Sequence, residues 1–73
     1  MEEIKIKSEY IKLDQLLKFV NIVENGADAK FLVQNGYVKV DGETETRRGR
    51  KLRGEEIIEI DYEGQYFSVK VIG

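Results

Sequence analysis

The stretch that decides the fold of this chain runs from residue 36 to residue 53 and reads Gly36-Tyr-Val-Lys-Val-Asp-Gly-Glu-Thr-Glu-Thr-Arg-Arg-Gly-Arg-Lys-Leu-Arg53. Val38 and Val40 alternate with Tyr37 and Lys39, and this period of two is typical of a strand with one buried face. Asp41-Gly42 then provides the residue types that tolerate the positive φ angles of a two-residue hairpin turn. The stretch therefore predicts a strand over residues 37–40 that reverses direction at residues 41 and 42.

The second half of this stretch is a short cationic segment, residues 47–53, which we call the basic loop. Its only apolar residue is Leu52, which we expect to anchor the loop in the core, and its five cations are Arg47, Arg48, Arg50, Lys51 and Arg53. Like charges at this density repel one another, so the pattern predicts that an anion neutralises the loop. A solvated surface is the plainer interpretation of a charge run, and it stays open.

Length and composition limit the kind of protein that this chain can form. The 73 residues suffice for one small domain, 1–73, which would bury about 60% of the surface of the unfolded chain. With 41% hydrophobic and 36% charged residues the chain has a globular composition, and it lacks cysteine and therefore disulfides. No apolar run has the length of a signal peptide or of a membrane span, so we expect a cytoplasmic protein.

The charge is distributed unevenly along the chain. The formal net charge is -2, but residues 10–53 carry nine Lys/Arg against six Asp/Glu, whereas residues 54–73 carry five acidic residues against one lysine. Electrostatic fields are screened over about 8 Å at physiological salt, so the local charge decides what a surface attracts. A cationic face for a polyanion is therefore compatible with an acidic protein.

Two short helices are predicted before the stretch. The first covers about residues 13–20, because its apolar residues recur at the spacing of one helix face: Leu13, Leu16, Leu17 and Val20. Asn25 is a suitable N-cap for the second helix, whose buried face would hold Ala29, Leu32 and Val33. Gly36 is the residue type that ends a helix in the left-handed conformation.

Strands are predicted on both sides of the helices and the basic loop. Ile4 and Ile6 alternate with lysines, which indicates a strand over about residues 2–7. After the basic loop, alternating apolar residues from Ile58 onward and again over about residues 65–72 flank the turn Glu63-Gly64. The order of elements predicts an α+β fold, in which a two-helix hairpin packs on one face of a small, mainly antiparallel sheet.

Three segments of the chain resemble the S4 RNA-binding domain: Lys12-Leu-Asp-Gln-Leu-Leu, then Ala29-Lys-Phe-Leu-Val-Gln-Asn-Gly-Tyr-Val-Lys-Val-Asp-Gly, then Gly54-Glu55. The resemblance covers about residues 11–58, and the segment around the basic loop is similar to the small stand-alone bacterial S4 proteins of the YaaA type. It implies an S4-like αL fold and the recognition of a structured RNA such as ribosomal RNA. A role in ribosome assembly or in translation would follow.

By the same resemblance, the two helices and the basic loop would form the RNA-binding face. The residues implied are Lys12, Lys18, Lys30, Arg47, Arg48, Arg50 and Lys51. The chain departs from the family pattern where Lys12 and Gly26 replace arginines and where Asp41 replaces the asparagine of the hairpin. Lys18 and Lys30 could equally be solvated helix residues. Three tyrosines could either stack on bases or pack in the core or at its rim: Tyr10, Tyr37 and Tyr66.

The residue types needed for catalysis are scarce. The chain has no histidine or cysteine, no serine beside a candidate base, and no spaced set of metal ligands, so we expect a non-enzyme without cofactor or small-molecule substrate. We further expect a monomer. Two alternatives to RNA binding remain open from the sequence. One is an adaptor whose basic loop docks an acidic protein, and the other is DNA binding.

Overall fold

The computed structural model describes residues 1–73, and its element order confirms the α+β prediction. The elements are β1 (Glu2–Lys5), β2 (Ile11–Lys12), α1 (Leu13–Phe19), α2 (Gly26–Gln34), β3 (Val38–Val40), β4 (Glu43–Thr44), β5 (Lys51–Leu52), β6 (Ile57–Tyr62) and β7 (Gln65–Ile72). Strands β2 and β5, each two residues long, were not expected from the sequence. They turn out to join the basic loop to the first helix.

The main sheet has five strands in the order β1-β7-β6-β3-β4. Only β1 runs parallel to its neighbour β7, and the remaining pairs are antiparallel. Val38 lies opposite Ile60 and Val40 opposite Ile58, so the apolar residues of neighbouring strands share one face. That face is covered by the helices, as the alternating patterns predict.

Both predicted hairpin turns are present. Asp41 and Gly42 have φ angles of 52° and 84°, and Glu63 and Gly64 have angles of 50° and 78°, which is the pair of positive values that a tight two-residue hairpin requires. Asp41 also links the first hairpin to strand β6, because its carboxylate accepts a hydrogen bond of 3.0 Å from the Ile57 amide. The aspartate that replaces the family's asparagine therefore has a structural role.

The helices begin and end close to the predicted residues. Helix α1 ends at Phe19, one residue before the predicted end, and its cap Lys12 donates its backbone amide to the Gln15 side chain at 3.2 Å. Helix α2 is capped by Asn25, whose side chain accepts a hydrogen bond of 2.9 Å from the Asp28 amide, as predicted. Neither helix is long and apolar enough to cross a membrane.

A single hydrophobic core of 15 buried residues connects all the layers. It includes the predicted helix faces, the alternating residues of the sheet and Leu52, which is completely buried. The prediction that Leu52 anchors the basic loop is therefore confirmed. The position of this anchor brings the loop against the N-terminus of α1.

Candidate nucleic-acid interface

The backbone of the basic loop is bonded to the start of helix α1. The Leu13 amide donates to the Arg50 carbonyl at 2.9 Å, and the Asp14 amide donates to the Arg48 carbonyl at 3.0 Å. The first amides of a helix have no partner within the helix, so these two loop carbonyls satisfy groups that would otherwise need water or a side-chain cap. The loop is consequently held in a defined position next to α1.

The short strands β2 and β5 place two lysines side by side. Ile11 pairs with Leu52, and Lys12 pairs with Lys51, in an antiparallel register. Residues directly opposite in such a pair point to the same face, and like charges there are destabilising. Both lysines are exposed and neither takes part in an ion pair. The fold thus concentrates positive charge at this point without neutralising it.

An internal anion neutralises another part of the basic loop. The Glu45 side chain is only 8% exposed. It accepts hydrogen bonds from the Arg47 amide, Nε and Nη2 at 3.1, 3.0 and 2.9 Å, and from Arg50 Nη1 at 3.1 Å. At these two arginines, part of the neutralising anion that the sequence pattern predicts is therefore supplied by the protein itself. The sequence does contain a signal for this pairing, because Glu45 precedes Arg47 by two residues and Arg50 by five.

The environment of Glu45 keeps its carboxylate ionised. Hydrogen bonds from Arg47 are the main cause that lowers the pKa of Glu45 to about 2, and they outweigh its desolvation, which acts in the opposite direction. The same contact raises the pKa of Arg47. The Arg47 side chain nevertheless stays 74% exposed, so one side of its guanidinium is open to solvent.

The remaining cations of the basic loop take part in no ion pair. Arg48, Lys51 and Arg53 are exposed. Lys51 Nζ lies 4.9 Å from the ring centroid of Tyr10, and Arg53 Cζ lies 5.7 Å from the same centroid, both within the range of cation–π contact. The Tyr10 ring thus contacts two cations of the loop, a role that was not predicted from the sequence.

The two helical lysines are exposed and make no hydrogen bond, ion pair or cation–π contact with the basic loop. Lys18 lies in the last turn of α1. It follows Asp14 by four residues, so Lys18 and Asp14 lie on the same side of the helix. Lys30 lies in the middle of α2, next to buried Ala29.

Of the three tyrosines considered for base stacking, only Tyr10 contacts cations of the basic loop. Tyr66 donates a hydrogen bond of 2.7 Å to the Glu59 carboxylate. Tyr37 instead packs against Tyr62 and Phe31, with ring centroids 4.6 and 6.0 Å away. The arrangement at the loop therefore combines exposed cations, a fixed backbone and one aromatic support. Such a surface can bind phosphate groups of a polyanion.

Comparison with known proteins gives a consistent result. The sequence model of the S4 domain matches residues 4–70. The chain is 36% identical over 63 residues to a Bacillus subtilis protein named "Probable ribosome maturation protein RlbA", covering 86% of this chain and 89% of the relative. It is 44% identical over 46 residues to YbcJ of Escherichia coli, covering 63% of this chain and 66% of YbcJ.

The fold comparison adds a solved structure. The solution structure of YbcJ from E. coli, described as revealing an αL motif involved in RNA binding, superimposes with a TM-score of 0.67 at 34% sequence identity. The superposition covers 100% of this chain and 89% of the other. The likeness therefore extends over the helices, the sheet and the basic loop together.

Proposed function

Because the chain belongs to the S4 domain family, we propose that it binds structured RNA through the basic loop and the adjoining start of helix α1. The observation that carries this proposal is the unneutralised pair of Lys12 and Lys51, held side by side while the loop backbone is bonded to α1. An RNA phosphate between the two ammonium groups would relieve their repulsion. The fold itself provides no such anion at that point.

The cations of the proposed site divide into three groups by their surroundings. Lys12, Arg48 and Lys51 are free of ion pairs and would make the first phosphate contacts. Arg47 and Arg50 would contact RNA from the positions in which Glu45 holds them, so part of the entropy cost of ordering these side chains is already met in the free protein. Lys18 and Lys30 would extend the surface along the helices.

We propose ribosomal RNA as the target and ribosome maturation as the process. The support is the name of the B. subtilis relative, a probable ribosome maturation protein that is identical to this chain at 36% of the aligned residues. Recognition would depend mainly on shape and phosphate contacts, because the site consists of cations on a rigid backbone and its one aromatic ring is covered by Lys51 and Arg53. We further propose that residues 1–73 act as one monomeric binding unit without a cofactor or a catalytic step.

A charge-reversal pair tests the proposal. Arg48→Glu with Lys51→Glu should weaken binding to a fragment of structured ribosomal RNA by more than about tenfold. The free energy of unfolding should change by about 1 kcal/mol or less, because Arg48 is in no ion pair and the cation–π contact that Lys51 loses with Tyr10 is offset by the end of its repulsion with Lys12. Binding is measured by fluorescence anisotropy and stability by urea unfolding. Lys5→Glu with Lys7→Glu, both exposed near β1, is the matched control because it changes the net charge equally.

The outcomes separate the RNA proposal from its alternatives. If the control pair loses as much affinity as the loop pair, binding follows bulk charge and the assigned site is wrong. A DNA duplex that competes as well as the RNA would favour DNA binding, and competition by polyglutamate alone would favour an acidic protein partner. Chemical-shift mapping with the same RNA should also perturb Lys18 and Lys30; shifts confined to the loop would remove both from the site.

A further inference from the structure

Three aromatic side chains form a surface cluster remote from the basic loop. The ring centroids of Phe31, Tyr37 and Tyr62 lie 6.0, 4.6 and 5.8 Å apart pairwise, in stacked and edge-to-face arrangements. Phe31 is 45% exposed and Tyr37 is 37% exposed, so part of each ring is open to solvent. Exposed apolar rings grouped in this way are typical of interaction sites.

Carboxylates surround this cluster on both sides. An open groove of about 370 Å³ is lined by Phe31 and Tyr62 together with Glu24 and Asp28, and neither carboxylate is in an ion pair. The hollow beside Tyr37 holds two more carboxylates and one lysine: Glu59, Asp61 and Lys39. The two hollows beside the aromatic rings therefore hold four carboxylates and one lysine.

The aromatic groove and the basic loop lie toward opposite ends of strand β6. The loop ends shortly before β6 begins at Ile57, whereas Tyr62 is the last residue of the same strand. At about 3.3 Å per residue, these two ends are about 17 Å apart. The start of β6 and Tyr62 are thus farther apart than the screening length of about 8 Å at physiological salt, so the field of cations near the start of β6 is largely screened at Tyr62.

We infer that the groove of Phe31, Tyr62, Glu24 and Asp28 binds an arginine- or lysine-rich segment of a partner protein. A guanidinium or ammonium group is attracted to the faces of aromatic rings, and the two unpaired carboxylates supply the complementary charge. The acidic border excludes RNA from the same groove, because phosphates would meet like charge. The inference does not rest on the proposed function, since it uses none of the residues of the basic loop.

Titration with a short peptide of alternating glycine and arginine tests the inference. The variant Glu24→Gln with Asp28→Asn should bind this peptide about tenfold more weakly than the natural chain, and Phe31→Ala should lose about fivefold. Glu2→Gln with Glu3→Gln is the matched control, because these exposed residues of β1 lie outside the groove and remove the same charge. A peptide with glutamate in place of arginine should not bind.

A single variant guards against damage to helix α2. Asp28 lies in the first turn of α2, where an acidic residue favours the helix, whereas Glu24 precedes the cap residue. Glu24→Gln alone should therefore weaken peptide binding about threefold with an unchanged circular dichroism spectrum.

Three results would each overturn the inference. The first is that the groove variants bind the peptide as tightly as the natural chain does, or that the β1 control loses as much affinity as the groove variants. The second is a loss of RNA affinity by Phe31→Ala as large as that of Arg48→Glu with Lys51→Glu, because the groove would then belong to the RNA surface. The third is self-association of the natural chain in analytical ultracentrifugation that Arg48→Glu with Lys51→Glu abolishes, because the basic loop of a second copy would then occupy the groove.

Discussion

Replacing Glu45 by glutamine tests the internal neutralisation of the basic loop. Glu45 is 6% exposed and its carboxylate receives hydrogen bonds from Arg47 and Arg50. The substitution keeps the size of the side chain and one acceptor oxygen but removes the charge, so both guanidinium groups lose their anion. We expect Glu45→Gln to fold and to be less stable than the natural chain at neutral pH.

The size of the effect follows from the pKa of Glu45. Its pKa falls from 4.5 to about 2 on folding, and at about 1.4 kcal/mol per pKa unit this gives an upper limit of about 3 kcal/mol. Arg47 is 74% exposed, so solvent screening reduces the expected loss to about 1–2 kcal/mol. In a domain of this size that loss lowers the Tm by about 5–15 °C.

The pH dependence has a defined sign. Because the folded-state pKa lies below that of the unfolded chain, the carboxylate contributes its full stability above about pH 4.5, and this contribution is lost as the pH falls toward about 2. The difference in unfolding free energy between the natural chain and Glu45→Gln should therefore shrink over this interval. Other carboxylates titrate in both proteins, so the difference between the two curves is the informative quantity.

Urea unfolding of both proteins between pH 7 and pH 3 measures this difference. Glu43→Gln is the matched control, because Glu43 is an exposed residue of β4 without an ion pair and should change stability by about 0.5 kcal/mol or less. Equal stability of Glu45→Gln and the natural chain at pH 7 would refute the assigned ion pairs. A difference that stays constant as the pH falls would refute the ionised state of Glu45.

Three further predictions concern the core, a helix cap and the binding site. Leu17→Ala should cost about 2–5 kcal/mol in urea unfolding, because Leu17 is fully buried; a loss below about 1 kcal/mol would contradict its core position. Asn25→Ala should cost about 1 kcal/mol through the lost bond to the Asp28 amide, and an unchanged melting curve would show that the cap contributes nothing. Finally, roughly four to six phosphate contacts predict a log–log slope of RNA affinity against salt of about -3 to -5, whereas a flat dependence would reject an electrostatic interface.

The elements that were predicted correctly depend on neighbours in sequence. The turns at Asp41-Gly42 and Glu63-Gly64 follow from residue types that tolerate positive φ, and Asn25 caps α2 through an amide only three residues away. The helix faces and the alternating strands follow from the spacing of apolar residues, which can be read directly from the sequence. The α+β fold could be predicted because these local signals agree with one another.

The proposed site could be predicted only in part. Composition marked the basic loop, and the S4 resemblance added Lys12, Lys18 and Lys30, and these assignments stay predictions. The four candidates in the basic loop looked equivalent in the sequence, because residue type alone does not show which cation has an internal partner. The pairing of Lys12 with Lys51 was missed because strands of two residues carry no measurable period.

The sequence by itself determined where the chain turns, which faces are apolar and where positive charge is dense, since each of these is a property of residues within a few positions of one another. Only the tertiary structure decided how that charge is used. Once Leu52 is buried, the loop backbone meets the first amides of α1, Lys51 comes to lie opposite Lys12, and the loop arginines reach buried Glu45. The contacts of the loop with α1 and with Lys12 join segments that are distant along the chain, and no local pattern encodes the distances that packing creates. Glu45 lies within five residues of both arginines, but residue type alone did not show that it is buried beside them.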